Sequence, residues 1–251
     1  MIYVERYCKR IYYTDSFEPT LEVLKKLQTA HLLHVPFENL DIHANVPIVL
    51  SVEKIFDKIV NRNRGGFCYE LNGLFYELLI ALGFDAKRIS ARVYDQEQGY
   101  GQEFDHFAIL VTIDHQSYLT DVGFGEFAFE PLLFELDTIQ EDPRGSFIIE
   151  KHDADYLRVS KIANGTRLPE YIFTTQSREL SAYTEMCTYH QTSPDSHFTR
   201  KRLITLPNKN GRTTITGNTL KITKNDEIES RVIQSEAEFH NYLKELFQVD
   251  L

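Results

Sequence analysis

The stretch Arg64–Phe84, RGGFCYELNGLFYELLIALGF, decides how the chain is read. Two glycines precede Phe67 and Cys68, and a helical pattern follows at once. Leu71, Leu74, Phe75, Leu78, Leu79 and Leu82 recur at spacings of three and four, the mark of one buried helix face. Gly83 stands where a C-terminal cap is expected. Cys68 then falls at or just before the first turn. There the unpaired backbone N–H groups and the positive end of the helix dipole favour a thiolate over a thiol. Gly65 and Gly66 permit a sharp turn that a side chain would obstruct, so the sulfur can be offered to a cleft. Taken alone, the stretch fits equally well a small buried cysteine closing a loop, the common fate of a free cysteine.

A thiolate nucleophile needs a basic partner, and that base needs a group to orient it. Downstream come FDHFAILVTI (104–113) and SYLTDVGFG (117–125). The first reads as a strand with His106 near its start, His106, Ala108 and Leu110 alternating with Phe107, Ile109 and Val111. In the second, Asp121 falls among Leu119, Val122 and Phe124 before Gly123 and Gly125. The short Asp114–Gln116 connection makes the two runs a hairpin, which brings His106 and Asp121 to the same end. Cys68, His106 and Asp121 thus form a candidate Cys–His–Asp triad.

The 251 residues suffice for one large domain or two to three small ones, with 42% apolar and 25% charged residues as in an ordinary globular protein. No stretch approaches the roughly 20 apolar residues of a membrane span, and MIYVERYCKRIYY lacks the apolar core of a secretory signal. Cysteines stand at 8, 68 and 187 without CxxC spacing. That argues against a disulfide scaffold or a metal site and for a reducing, cytoplasmic setting. A net charge of −10 speaks against nucleic acid and anionic membrane surfaces as partners. The oligomeric state is not legible.

Residues 1–84 read mainly as helices. Thr20–His34 carries Leu21, Leu24 and Leu27 on one face and is stopped by Pro36, and Ser51 is placed to cap a helix using Val52, Ile55, Phe56, Ile59 and Val60. Residues 85–190 change to short strands at 86–95, 104–113, 117–124, 147–150, 156–161 and 171–175, which suggests an antiparallel sheet or small barrel. Residues 191–251 hold further strands and a last helix, with Ser235 and Glu238 as a capping box. The expectation is an α+β chain in three regions.

Together, RGGFCYELNGLF, HVPFENL (34–40), DHFAILV, YLTDVGFG and QTSPDSHF (191–198) resemble the arylamine N-acetyltransferase family, in the family's order and over most of the first 200 residues. The length suits the bacterial members. The resemblance implies a papain-like (cysteine-proteinase-like) core, made of an N-terminal helical region and an antiparallel β-barrel region, with a C-terminal α/β lid. It also implies a ping-pong acetyl transfer from acetyl-CoA, through a cysteine thioester, to an aromatic amine or hydrazine, with no metal. The triad carries over onto Cys68, His106 and Asp121. One departure is the absence of any Trp.

An aromatic acceptor needs a flat apolar slot beside the sulfur. Phe37, Phe67, Tyr69, Tyr94 and Phe124 flank the motif residues, and Phe37 and Phe124 match family pocket positions. Tyr189, Ser196 and His197 match positions that lie along the cofactor in the family, and the basic knot Arg200, Lys201 and Arg202 follows directly, suited to phosphate. The loop 95–105, DQEQGYGQEFD, is acidic and unlike a phosphate cradle, and neither GxGxxG nor GxxxxGK[ST] occurs. Glu38 and Arg64 are expected to pair and hold the glycine loop, and Asn72, one turn along from Cys68, to tie it down. Two other readings stand beside the transferase: a transglutaminase-like cysteine amidase or hydrolase using the same triad, and a non-catalytic binder of CoA or small aromatics.

Overall fold

The structure, a computed structural model, describes residues 3–225 and 227–251. The chain opens with α1 (Val4–Arg10), α2 (Leu21–His34), β1 (Phe37–Glu38), α3 (Leu40–His43) and α4 (Val52–Phe56), the last running into a π-helical turn at Asp57–Asn61. Then comes α5 (Cys68–Ala81). Thr20 caps α2 by accepting from Val23 N–H, and Pro36 follows its end as expected. Ser51 caps α4 by position only, since its side chain accepts no bond there.

Helix α5 begins at the nucleophile candidate. Glu70 Oε2 accepts from the Phe67 N–H (3.2 Å), satisfying one donor that the helix start would leave open. At the other end Gly83 N–H donates to Ile80 O and Phe84 N–H to Leu79 O, the paired bonds of a left-handed cap. Leu71, Leu74, Phe75, Leu78 and Leu79 are fully or almost fully buried, while Leu82 in the last turn is only partly so. Each of the buried side chains contributes roughly 1.5–3 kcal/mol by leaving water.

From Asp85 the chain builds one antiparallel sheet from β2 (Asp85–Asp95), β3 (Gly99–Tyr100), β4 (His106–Ile113), β5 (Gln116–Thr120), β6 (Leu132–Leu133), β7 (Ile139–Asp142), β8 (Gly145–Lys151), β9 (Leu157–Ala163) and β10 (Thr166–Ser177). The order is β6-β5-β4-β2-β10-β9-β8-β7, with β3 on β2, and the sheet curls barrel-like around Ile89, Leu110, Phe147, Val159 and Phe173. Strand β4 is buried on both faces, which is why it reads as a continuous apolar run. Phe107, Ile109 and Val111 join the core under α5, while Ala108 and Leu110 face the barrel. Asp114 and His115, both left-handed, make the tight β4–β5 turn.

After a 3₁₀ turn at Leu180–Tyr183, α6 (Thr184–Thr192) and α7 (His197–Arg200) return to the helical core, which takes in Tyr183, Cys187 and Phe198. The chain ends in β11 (Leu203–Asn208), β12 (Gly211–Thr216), β13 (Thr219–Lys224), β14 (Glu227–Val232) and α8 (Glu236–Phe247). These strands extend β1 in the order β1-β11-β12-β13-β14. Ser235 Oγ accepts from Glu238 N–H as expected, and α8 buries Phe239, Leu243 and Phe247. Among the described residues no helix is long and apolar enough to cross a membrane.

The expected Glu38–Arg64 pair is present and belongs to a larger buried cluster. Arg64 Nη2 lies 2.7 Å from Glu38 and 2.9 Å from Asp41, and Lys58 Nζ lies 2.8 Å from Asp41, 2.9 Å from Glu70 and 3.8 Å from Glu38. The cluster fastens the glycine loop to β1. Gly65 is needed because a Cβ there would sit 2.0 Å from Pro36 O, so its role is close approach, not the sharp turn expected from the sequence.

Removing one partner of a buried ion cluster strands its counter-charges. Lys58→Met should therefore destabilise the fold by about 3–5 kcal/mol, read as a lowered denaturation midpoint. A second expectation concerns Glu170 on β10. Burial, aided by Glu126 and opposed by Lys161 and Arg144, pushes its carboxyl up to about 7. A raised folded-state value gives stability that is full below the ordinary carboxyl range and is lost as pH rises through about 7. Glu170→Gln should remove that slope and leave the variant more stable than the parent at pH 8, by on the order of 3 kcal/mol at most.

Candidate active site

Cys68 is the first residue of α5, His106 the first of β4, and Asp121 follows the last residue of β5. His106 Nε2 stands 2.6 Å from Asp121 Oδ2, both side chains being buried. Cys68 and His106 line one cleft of about 340 Å³, together with Phe37, Val93, Asp105, Phe124, His197, Phe198, Leu203 and Arg212. Phe124 and Tyr171 pack on the imidazole at centroid distances of 5.3 and 5.2 Å.

The aspartate is held from several directions. Its Oδ1 accepts from Asn72 Nδ2 and from Gly123 N–H, both at 2.8 Å, and Tyr171 Oη donates to Oδ2 at 3.2 Å. Asn72 also donates to Phe107 O and accepts from Val122 N–H at 2.8 Å. One amide thus joins α5, β4 and the loop after β5. The loop can lie this close only because residue 123 is glycine, since a Cβ there would meet Asn72 Nδ2 at 2.8 Å and Cys68 Cα at 2.9 Å.

Burial pushes the Cys68 thiol well up, and Asp105, Cys187 and Asp121 push the same way. The Tyr69 N–H aimed at the sulfur pulls it down. The helix start expected to favour a thiolate is therefore outweighed by desolvation.

The aromatic expectations divide. Phe37 and Phe124 line the cleft. Phe67 and Tyr69 do not: both are fully buried, Phe67 edge-on to Tyr69 and Phe198, and Tyr69 Oη donates to Phe104 O at 2.8 Å. Successive helical residues point about 100° apart, so the neighbours of a cleft-facing Cys68 must face elsewhere. Tyr94 lines a second cavity of about 450 Å³, along with Arg92, Tyr100, Tyr189, Ser196, His197 and Arg200. Val93, Asp105 and His197 belong to both cavities, so the two adjoin.

The Ser196 hydroxyl is already engaged. It lies 3.0 Å from His190 Nδ1 and accepts from Phe198 N–H, and His190 Nε2 stands 3.0 Å from Asp105 Oδ1. Of the basic knot only Arg200 reaches the second cavity. Arg202 is spent elsewhere, lying over the Phe239 ring at 3.6 Å and bonded to Glu236 and Asn218. Among the described residues no cluster of three or more His, Cys, Asp or Glu is arranged to hold a metal ion.

Residues 20–251 match the family model described as N-acetyltransferase. The sequence is 31% identical to human arylamine N-acetyltransferase 1, over 99% of this chain and 94% of that protein. The fold superposes on arylamine N-acetyltransferase from M. tuberculosis with a TM-score of 0.91 at 30% identity, covering 98% of this chain and 94% of that one. It matches the Mycobacterium marinum enzyme solved in complex with CoA at TM-score 0.90 and 30% identity, covering 98% and 93%. The chain belongs to the arylamine N-acetyltransferase family. It is accordingly an acyltransferase with the papain-like α+β architecture expected from its motifs.

Within that family fold, two contacts at the site were not foreseen from sequence. Tyr171 reads as one more strand aromatic, and only the curl of the sheet brings its hydroxyl to Asp121. Arg212 follows the Asn208–Gly211 turn, and nothing local in the sequence ties it to Gly125. Asn72 was expected to tie down the loop and does so more completely than its spacing implied. Asn72→Ala would leave Val122 N–H, Phe107 O and an Asp121 lone pair without their present partner. At about 1–3 kcal/mol for each stranded buried group, a loss of at least 3 kcal/mol is expected in denaturant unfolding, with the slope of the transition unchanged.

Proposed function

We propose that this chain transfers the acetyl group of acetyl-CoA to arylamines and hydrazines by double displacement through an acetyl-Cys68 thioester. The carrying observation is that Cys68 and His106 share one cleft while Asp121 fixes His106 through Nε2. That bond leaves Nδ1 as the nitrogen free to exchange a proton with the sulfur. His106 takes up the Cys68 proton so that the sulfur can attack the thioester carbonyl. Asp121 stabilises the imidazolium, which then protonates the departing CoA sulfur. The amine next attacks the acetyl-cysteine, giving its proton to His106, which passes it to the Cys68 sulfur as that leaves. The Cys68 N–H at the helix start serves the oxyanion.

The apolar cleft between Phe37 and Phe124 takes the flat acceptor ring. The adjoining cavity takes the donor, with the Tyr189 and Tyr94 rings and His197 along its arm and Arg200 toward phosphate. A relative solved with CoA supports this co-substrate. On this reading residues 1–84 supply the nucleophile, 85–190 the histidine and aspartate, and 191–251 the lid. All three cysteines are unpaired, which fits work in the reducing cytoplasm.

Intact-mass spectrometry tests the proposal. Mixing with acetyl-CoA should add one acetyl group to Cys68, which a small arylamine then removes, and Cys68→Ala should show neither gain nor turnover. Varying donor against acceptor should give parallel reciprocal plots. Intersecting plots, or an acetyl group lost to water at the same rate with and without amine, would overturn it.

A further inference from the structure

A charged side chain stands in the acceptor cleft with no ion-pair partner among the described residues. Arg212, on β12, lines the cleft that holds Cys68 and His106. Its Nη1 donates to Thr205 Oγ1 at 2.8 Å and its Nη2 to Gly125 O at 2.6 Å, both neutral acceptors, while its Nε is buried without a partner. A guanidinium carries five N–H donors in one plane, so these bonds leave part of its donor set and all of its charge unanswered.

The charged groups around it are few. Arg144 repels it, and Glu126, which also lines the cleft, attracts it. Glu126 has its own cation, Arg144, at 3.5 Å, and its carboxylate is largely exposed. Burial and Arg144 together draw the guanidinium down to about 10, as expected of a cation short of counter-charge. Asp105 also lines the cleft, but its carboxylate is engaged by Val93 N–H and faces His190 at 3.0 Å; Phe37, Val93, Phe124, Leu203 and Thr214 make the wall otherwise largely apolar. An aromatic ring seated there with an anionic substituent would find its one strong electrostatic partner in Arg212.

We propose that Arg212 selects acceptors, favouring arylamines that bear a carboxylate on the ring over neutral ones. This rests on the acetyl-transfer reading above and names the substrate class of that same cleft. The guanidinium meets a carboxylate through a charge-assisted and, where geometry allows, bidentate contact, strong because the cleft is largely apolar. Glu126 opposes the same anion from the cleft mouth and moderates the preference.

The test compares 4-aminobenzoate with its neutral methyl ester in kcat/KM, each normalised to the rate at which acetyl-CoA acetylates Cys68 in the same protein. The parent should prefer the acid, and the preference should weaken as salt is raised. Arg212→Gln should lower the acid-to-ester ratio at least tenfold, chiefly through KM for the acid, and Arg212→Lys should keep most of it. Glu126→Gln should raise the ratio several-fold, and this variant leaves every bond of Arg212 in place should Arg212→Gln fail to fold. An equal loss on both acceptors in Arg212→Gln would show that Arg212 merely ties β12 to the loop at Gly125. A parent that prefers the ester, or a ratio unmoved or lowered in Glu126→Gln, would also overturn the proposal. Failure of Cys68 to acquire acetyl in the parent would instead count against the transfer reading itself.

Discussion

The side-chain amide of Asn72 is where three separately built elements are brought into register. It sits one turn along the helix that starts at Cys68, donates to the Phe107 carbonyl of β4 and to Asp121, and accepts from Val122 N–H. Asp121 completes the junction from its own side, bonded to Asn72 on the cysteine helix, His106 on the strand and Gly123 in the loop. The amide can do this only at close quarters, which makes Gly123 a geometric necessity. Because Asn72 is fully buried, water cannot replace any of these bonds, so a small displacement of one element leaves a polar group unsatisfied. The positions of Cys68, His106 and Asp121 are thus coupled through one residue that need not take part in the chemistry.

Two opposing effects act on Cys68, and their balance decides how a thiol in this place can be used. The helix start and the Tyr69 N–H favour negative charge on sulfur. Burial opposes it more strongly, and the carboxylates of Asp105 and Asp121 add to the opposition. A sulfur in such a setting gains reactivity when a proton acceptor and an electrophile arrive in the same cleft. The buried ion cluster one loop away does not change this balance. Lys58 and Arg64 are answered by Glu38, Asp41 and Glu70, so the cluster anchors the loop and leaves no net positive charge.

How far the sequence could be read depended on whether a residue's role is set by its neighbours along the chain. The cysteine helix, its Gly83 cap, the strand at His106 and the Ser235 cap of α8 follow from local periodicity and local bonds, and each is found where expected; the other half of the α8 capping box is displaced by one residue, Glu238 accepting from Gln234 N–H. The hairpin correctly joined His106 to Asp121 because one tight turn fixes the register. Phe67 and Tyr69 went astray because adjacency in sequence is not adjacency on a helix. Lys201 and Arg202 looked like part of one basic patch with Arg200, yet Arg202 turns to Phe239 on α8, which no local pattern reveals. Tyr171 and Arg212 reach the site across the curled sheet and from β12. Their roles depend on long-range topology, where a single sequence carries little signal.

The two cavities meet at Asp105, Val93 and His197, and this junction places a constraint on traffic through the site. Asp105 is the residue immediately before His106, and its carboxylate is fixed by Val93 N–H at 3.2 Å and faces His190 at 3.0 Å. His190 in turn reaches Ser196, which caps the short helix carrying Arg200. A line of contacts therefore runs from α7 to the residue beside the imidazole. Asp105, at the end of that line, carries one of the charges that oppose a thiolate on Cys68. Arg212 enters from the opposite side, on a strand of the same sheet that pairs with Phe37 and Glu38 through β11. The contacts of the two cavities thus rest on different elements, so a substitution in one cavity can leave both the other and the geometry held by Asn72 intact.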